Sequence, residues 1–180
     1  MEIDKKFKEE QLESTTIYDG KILKLVKDKV LCPSGRQSTR EVIRDVKAVC
    51  ILAIVDNKII MEKQYRYPYD EILLELPAGK LNKGEDKLTA AIRELEEETG
   101  YLANDMEYLG DMYPSCGYTD EHIYLYACSN LKETNRHLDV NEVIDLYYYS
   151  FEEVEEMIKN NIIKDAKTVM AYSLYLLKHK

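Results

Sequence analysis

The chain has 180 residues, 45% of them hydrophobic and 33% charged, and a formal net charge of -9. This length suits one domain with a proper core, or one domain plus a modest extension. The acidic balance excludes a sequence-nonspecific nucleic-acid binder, which needs a basic surface to displace counterions, but it leaves room for a phosphate-bearing small ligand bridged by a divalent cation.

The first stretch, "MEIDKKFKEEQLES", is too charged for a signal peptide and is expected to be loosely attached. No apolar run approaches a membrane span. Cys32, Cys50, Cys116 and Cys128 show no CxxC pairing, and none of the three histidines stands at ligand spacing from a cysteine. Reduced thiols and a cytoplasmic location are therefore expected, with neither a disulfide framework nor a zinc site.

From Thr15 to Arg44, "KILKLVKDKVL" alternates apolar and polar residues and "PSGR" marks a turn, so short strands are predicted. "AVCILAIV" and "IIMEKQY" flank the polar turn "DNK" and predict a hairpin. "EILLELPAG" follows as a strand interrupted by Pro77 and Gly79. A helix is predicted from about Asp86 to Glu98, ended by Gly100 in the left-handed conformation. "EYLGDMY", "HIYLYAC" and "VIDLYYYS" read as strands. Ser150 and Glu153 form a capping-box pattern ahead of "FEEVEEMIK", and Asp165 caps a last helix through "AKTVMAYSLYLLKH". Strands interspersed with helices, without regular βαβ alternation, predict a mixed sheet flanked by helices.

The helix after Asp86 is electrostatically awkward. Glu94, Glu97 and Glu98 share one arc at i, i+3 and i+4, at the negative end of the helix dipole. Leu88, Ile92, Leu95 and Thr99 form the expected core face, and Arg93 is the nearby cation. The plain alternative is a solvated acidic face. A solvated face usually mixes signs, however, and Gly79 and Gly84 in the preceding loop allow backbone to approach a ligand. A bound Mg²⁺ would turn the repulsion among these carboxylates into coordination. For Glu85, at the positive end of the helix, a dipole-stabilising role is as good a reading as a catalytic one.

In order and spacing these residues resemble the Nudix box. Its fixed positions fall on Gly79, Glu85, Arg93, Glu94, Leu95, Glu97, Glu98, Gly100 and Tyr101, nine positions over 23 residues without a departure. The resemblance implies an α+β fold, the α/β/α Nudix sandwich with a mixed sheet, and metal-dependent hydrolysis of a nucleoside diphosphate linked to another moiety. It implies Glu94, Glu97 and Glu98 as ligands of Mg²⁺ or Mn²⁺, Glu85 as their support or the ligand of a further ion, and Arg93 as a salt bridge holding the helix. A P-loop NTPase is excluded, because no GxxxxGK[ST] is present.

Beyond the box the chain is similar to the ADP-ribose pyrophosphatase branch through "YDGKILKL", "REVI", "KQYRYP", "ELPAGK", "YPSCGYTDE" and "DAKT". That resemblance implies an N-terminal antiparallel β extension, residues 1–45, which pairs two subunits, ahead of a hydrolase domain over 46–180. It also implies substrate contacts from Tyr18, Arg40, Arg66 and Gly79; for the two arginines a surface ion pair is the alternative. The branch carries proline where this chain has Cys116 between Ser115 and Gly117, which opens the choice of substrate. Val140 stands where an acid is expected, leaving Glu142 and Glu121 as general-base candidates. The leading expectation is hydrolysis of ADP-ribose to AMP and ribose 5-phosphate. The alternatives are another nucleotide sugar, such as ADP-glucose or GDP-mannose, or a ligand-binding regulator on the same fold.

Overall fold

A computed structural model describes residues 4–180; Met1, Glu2 and Ile3, part of the stretch expected to be loose, lie outside the described residues. The chain divides into two compact units, one comprising the described residues up to Val46 with Ser115–Glu121, the other Lys47–Pro114 with His122–Lys180.

The smaller unit is an antiparallel sheet of β1 (Glu10–Asp19), β2 (Lys24–Leu31) and β3 (Gln37–Arg44) in that order. Every side chain of β1 is exposed, yet its backbone pairs with β2 from Glu10↔Leu31 to Asp19↔Lys24. This corrects the expectation of a loose start: Glu10 to Ser14 are held by main-chain hydrogen bonds, which do not depend on side-chain polarity. Ser115–Glu121 docks on β3, where Ile43 N–H donates to Tyr118 O at 2.8 Å and Asp120 N–H to Ile43 O at 3.1 Å.

In the larger unit β4 (Lys47–Val55) and β5 (Lys58–Arg66) form the predicted hairpin around Asp56 and Asn57, both at positive φ as its turn requires. β6 (Glu71–Glu75) pairs with β5 and β7 (Ala78–Lys80) with β4. β9 (Glu107–Met112), β10 (His122–Cys128) and β12 (Ile144–Tyr149) complete a mixed sheet ordered β12-β5-β4-β10-β9, in which only β4 and β10 run parallel. Two short strands absent from the prediction, β8 (Tyr101–Ala103) and β11 (Leu131–Glu133), pair with each other.

The sheet buries both faces, one under α1 (Lys87–Thr99), the other under α2 (Phe151–Lys159) and α3 (Ala166–Lys178). Val49, Ile51, Ala53 and Ile60 meet Ala90, Ala91 and Leu95 of α1 on one side. Cys50, Leu52, Ile59 and Met61 meet Val154, Ala171 and Tyr172 on the other. The alternation of β4 and β5 between the two clusters is the period-2 pattern of a strand covered on both faces. Among the described residues no helix is long and apolar enough to cross a membrane.

The helix starts follow the sequence signals. Asp86 accepts from Leu88 N–H at 2.9 Å, Ser150 and Glu153 make both bonds of a capping box, and Asp165 accepts from Thr168 N–H at 3.0 Å. Thr168 also ties α3 to the segment between β6 and β7. Its hydroxyl, fully buried, accepts Leu76 N–H at 2.9 Å and donates to Asp165 Oδ2 at 2.6 Å. Thr168→Val keeps the shape but leaves Leu76 N–H buried and unpaired. It should cost about 1–3 kcal/mol, seen as a Tm lower by roughly 3–10 °C in thermal unfolding.

Candidate active site

Helix α1 is rotated relative to the face predicted from its apolar residues. Leu88 is 42% exposed, and the side against the sheet is Ala90, Ala91, Leu95, Glu98 and Thr99. Two alanines let the helix backbone approach the sheet closely, so Leu95 fills the contact and Glu98 is carried inward with it. The three glutamates therefore do not share one wet arc: Glu98 is 4% exposed, Glu94 is largely buried, and Glu97 stands at the surface.

Glycine at position 79 is required by this arrangement. A Cβ there would lie inside the carboxylate of Glu94, so Gly79 forms the floor on which that side chain rests. Ala78 N–H, on the same strand β7, donates to Glu98 Oε2 at 2.9 Å.

Arg93 organises the outer part of the site. Its Nη1 donates to Glu94 Oε1 and Glu97 Oε2, both at 2.8 Å, while Nε and Nη2 clasp Glu85, also at 2.8 Å. The Arg93 hydrogen bond, with Asn82 N–H beside it, pulls the Glu85 pKa down to about 2. Burial raises the pKa of Glu94, against the pull of Arg93. Glu98 is pushed well above the ordinary carboxylate range, first by burial and then by the charge of Glu62.

Glu62, on β5, is a buried carboxylate outside every motif of the sequence. It is raised by burial, opposed by Arg136, and raised again by Glu75. One of its oxygens, Oε1, is buried without a hydrogen-bond partner among the described residues. The signal available in the sequence was its position two residues after Ile60, which assigns it to the face covered by α1.

The end of α1 is closed by the segment 134–137. Thr134 N–H donates to Gly100 O at 2.7 Å, His137 N–H to Glu97 O at 2.9 Å, and Arg136 Nε to Glu98 O. Arg136 thus brings a second cation to the negative end of the helix, where Arg93 was the only one expected. Gly100, at φ 74°, ends the helix as predicted, and a Cβ there would press on Arg136 N at 3.2 Å. Beyond Arg136, Glu142 accepts from Asp139 N–H at 3.3 Å, and its charge bears on Glu62, Glu94 and Glu98.

Arg66 lies further along β5 and is held in a two-pronged pair by Glu75, with Nε to Oε1 and Nη2 to Oε2 both at 2.7 Å. Burial disfavours the charge of Glu75, yet Arg66 and the buried ammonium of Lys167 outweigh it and hold its pKa low. Tyr18, Arg40 and Glu121 belong to the smaller unit. Tyr18 is exposed on β1, Arg40 pairs with Glu9 through Nε at 3.0 Å, and Glu121 N–H donates to Thr119 Oγ1 at 3.0 Å. Cys116 is exposed in the loop docked on β3.

Among the described residues no three His, Cys, Asp or Glu side chains are grouped closely enough to grip an ion as they stand. Arg93 accounts for this, since it draws Glu94 and Glu97 to itself. The donor set nevertheless fits a hard divalent cation: all oxygen, several carboxylates, a glycine floor and one orphaned buried oxygen. Glu98 and Glu62 hold protons in the folded state that the unfolded chain releases near its ordinary carboxylate pKa, so metal-free stability falls as pH rises above that value. Glu98→Gln should therefore raise the Tm of metal-free protein by about 2–4 °C at pH 8, with the gain shrinking toward pH 4 in thermal melts.

Comparison with known proteins agrees with this geometry. Residues 44–172 match the NUDIX domain family, and residues 9–43 match the nucleoside diphosphate sugar hydrolase N-terminal domain. The chain is 44% identical to the methanol dehydrogenase activator of Bacillus methanolicus, over 98% of this chain and 99% of that protein. It is 36% identical to the ADP-ribose pyrophosphatase of Bacillus subtilis (strain 168), over 97% of this chain and 96% of that one. The crystal structure of an ADP compounds hydrolase superposes with a TM-score of 0.84 at 22% identity, over 93% of this chain and 92% of that chain, a likeness of fold.

Proposed function

The chain belongs to the Nudix hydrolases, a family whose members generally depend on a divalent metal, and on that premise we propose that it cleaves the pyrophosphate bond of ADP-ribose to AMP and ribose 5-phosphate with Mg²⁺ or Mn²⁺. The observation that carries the reading is Glu94 resting on Gly79 beside the buried Glu98, a pair of carboxylates arranged for a cation and unfavourable without one. Its substrate follows from the likeness to ADP-ribose pyrophosphatases.

In this reading Glu94, Glu97 and Glu98 would hold the metal, and Glu85 keeps Arg93 in place through its two hydrogen bonds to the guanidinium. When bound, the divalent ion supplies neutralisation of the pyrophosphate oxygens and a lowered pKa for the attacking water. Glu142 takes the proton of that water as general base, with Glu121 as the second candidate. The water oxygen forms the new bond to phosphorus, the bridging P–O bond breaks, and the leaving phosphate departs with its oxygen. Arg66 meets a phosphate or the terminal ribose through the nitrogen that Glu75 does not take. Tyr18 stacks on adenine and Arg40 reaches the ligand, both from the N-terminal sheet of a second subunit in a homodimer. The four free thiols suit a cytoplasmic protein.

Release of AMP with Mg²⁺ should be faster from ADP-ribose than from ADP-glucose or GDP-mannose, and no release from ADP-ribose would discard the substrate assignment. Glu97→Gln should lower turnover by about 100-fold or more with folding retained. Because Glu97 is paired with Arg93, that variant should lack the stability gain of Glu98→Gln.

The likeness to the methanol dehydrogenase activator over nearly the whole of both chains favours a second reading, in which this protein activates a dehydrogenase. Addition to purified methanol dehydrogenase should then raise the rate of methanol oxidation, and the same addition of Glu97→Gln separates activation by hydrolysis from activation by binding alone.

A further inference from the structure

Glu62 lies outside the 23-residue box, and nothing in that motif accounts for it. It follows Met61 on β5, so strand alternation sends its side chain to the face occupied by Ile60, under α1. Opposite it in register are Glu75 on β6 and Leu146 on β12. On α1, one turn beyond the buried Leu95, comes Glu98. A strand carboxylate from below and a helix carboxylate from above are thus enclosed together, 3% and 4% exposed.

Their partners are unequal. Glu98 has Ala78 N–H, while Oε1 of Glu62 has no hydrogen-bond partner among the described residues. Arg136, the cation whose charge bears on Glu62, is bound to the carbonyl of Glu98, and its Nη2 is likewise buried and unpaired, so the two do not satisfy each other. Glu75 is engaged by Arg66 and Lys167. An oxygen buried in this way costs free energy until a positive group meets it.

We propose that Glu62 is an additional carboxylate for the divalent ion, reaching it from β5 beside Glu98. The inference rests on the divalent-ion reading of the box given above and extends it to a residue outside the motif. Glu62 supplies one oxygen from the rigid sheet, whereas the box supplies its oxygens from one helix; the ion then ties α1 to β5, and binding it stiffens the helix end. The same site would hold the ion before nucleotide arrives, since no substrate oxygen is needed to satisfy Oε1.

The test is Mn²⁺ binding to the full chain without nucleotide, by calorimetry and by electron paramagnetic resonance of free Mn²⁺. Glu62→Gln, which keeps the shape of the side chain, should weaken Mn²⁺ binding about tenfold or more, and the rise in Tm on adding Mn²⁺ should shrink accordingly. Glu62→Asp, which keeps the charge but withdraws it, should fold normally and also bind more weakly. Glu62→Gln and Glu98→Gln should be non-additive, because both act on one ion. If both Glu62 variants take up Mn²⁺ as the wild type does while Glu98→Gln does not, the two carboxylates merely share a proton. This inference then fails and the box reading stands. If the wild type takes up no Mn²⁺, both fail together.

Discussion

The enclosure of Glu98 is the constraint on which the rest of the larger unit turns. A carboxylate against the sheet is costly, and the cost falls where α1 already ends in negative partial charge. The chain answers with three groups from outside the last helical turn: Ala78 N–H on the carboxylate, Arg136 on the carbonyl of Glu98, and Arg93 on the neighbouring acids. None of these neutralises Glu98 itself. What they do is hold its surroundings in shape around an acid that burial keeps from ionising until a cation arrives, the condition in which a cation binds with little rearrangement of backbone.

Two arginines divide the work. Arg93 takes up Glu85, Glu94 and Glu97, one from the loop before the helix and two from its own helix, and so clamps the loop of residues 82–85 against α1. Arg136 joins the segment carrying Glu142 to the helix end. Glu142 is therefore brought near the buried acids by backbone bonds from Thr134 and His137, and not by any contact of its own with them. The glycine at 100 serves both ends of that join, since it turns the chain out of the helix and leaves room for Arg136 to approach.

A second frame, anchored on the start of α3, supports the site from the neighbouring strand β6. Glu75 holds Arg66 on one side and Lys167 on the other, while Thr168 holds Leu76, so the start of α3 grips the strand leading to Gly79. The sequence pieces "KQYRYP", "ELPAGK" and "DAKT" come together there, contributing Arg66, then Glu75 and Leu76, then Asp165, Lys167 and Thr168 to a single polar network. Such a network rigidifies its elements only because every member is paired.

The caps of all three helices, the turn of the β4–β5 hairpin and the spacing of the box were determined by the sequence alone. Each depends on interactions between residues a few positions apart, and side-chain chemistry with helical or strand period is enough to read them. The facing of α1 was legible only in part: Leu95 and Thr99 are buried as expected, but Ala90 and Ala91 carry too little hydrophobicity to outvote Leu88 and Ile92 on a wheel, yet their small size is what lets the helix dock. Not legible at all were Glu62, Arg136 and the Thr168–Leu76 bond, two of which join residues 38 and 92 positions apart. Only the tertiary structure decided these, because whether a carboxylate is solvated or starved of partners depends on what the folded chain packs around it, and no local pattern records that.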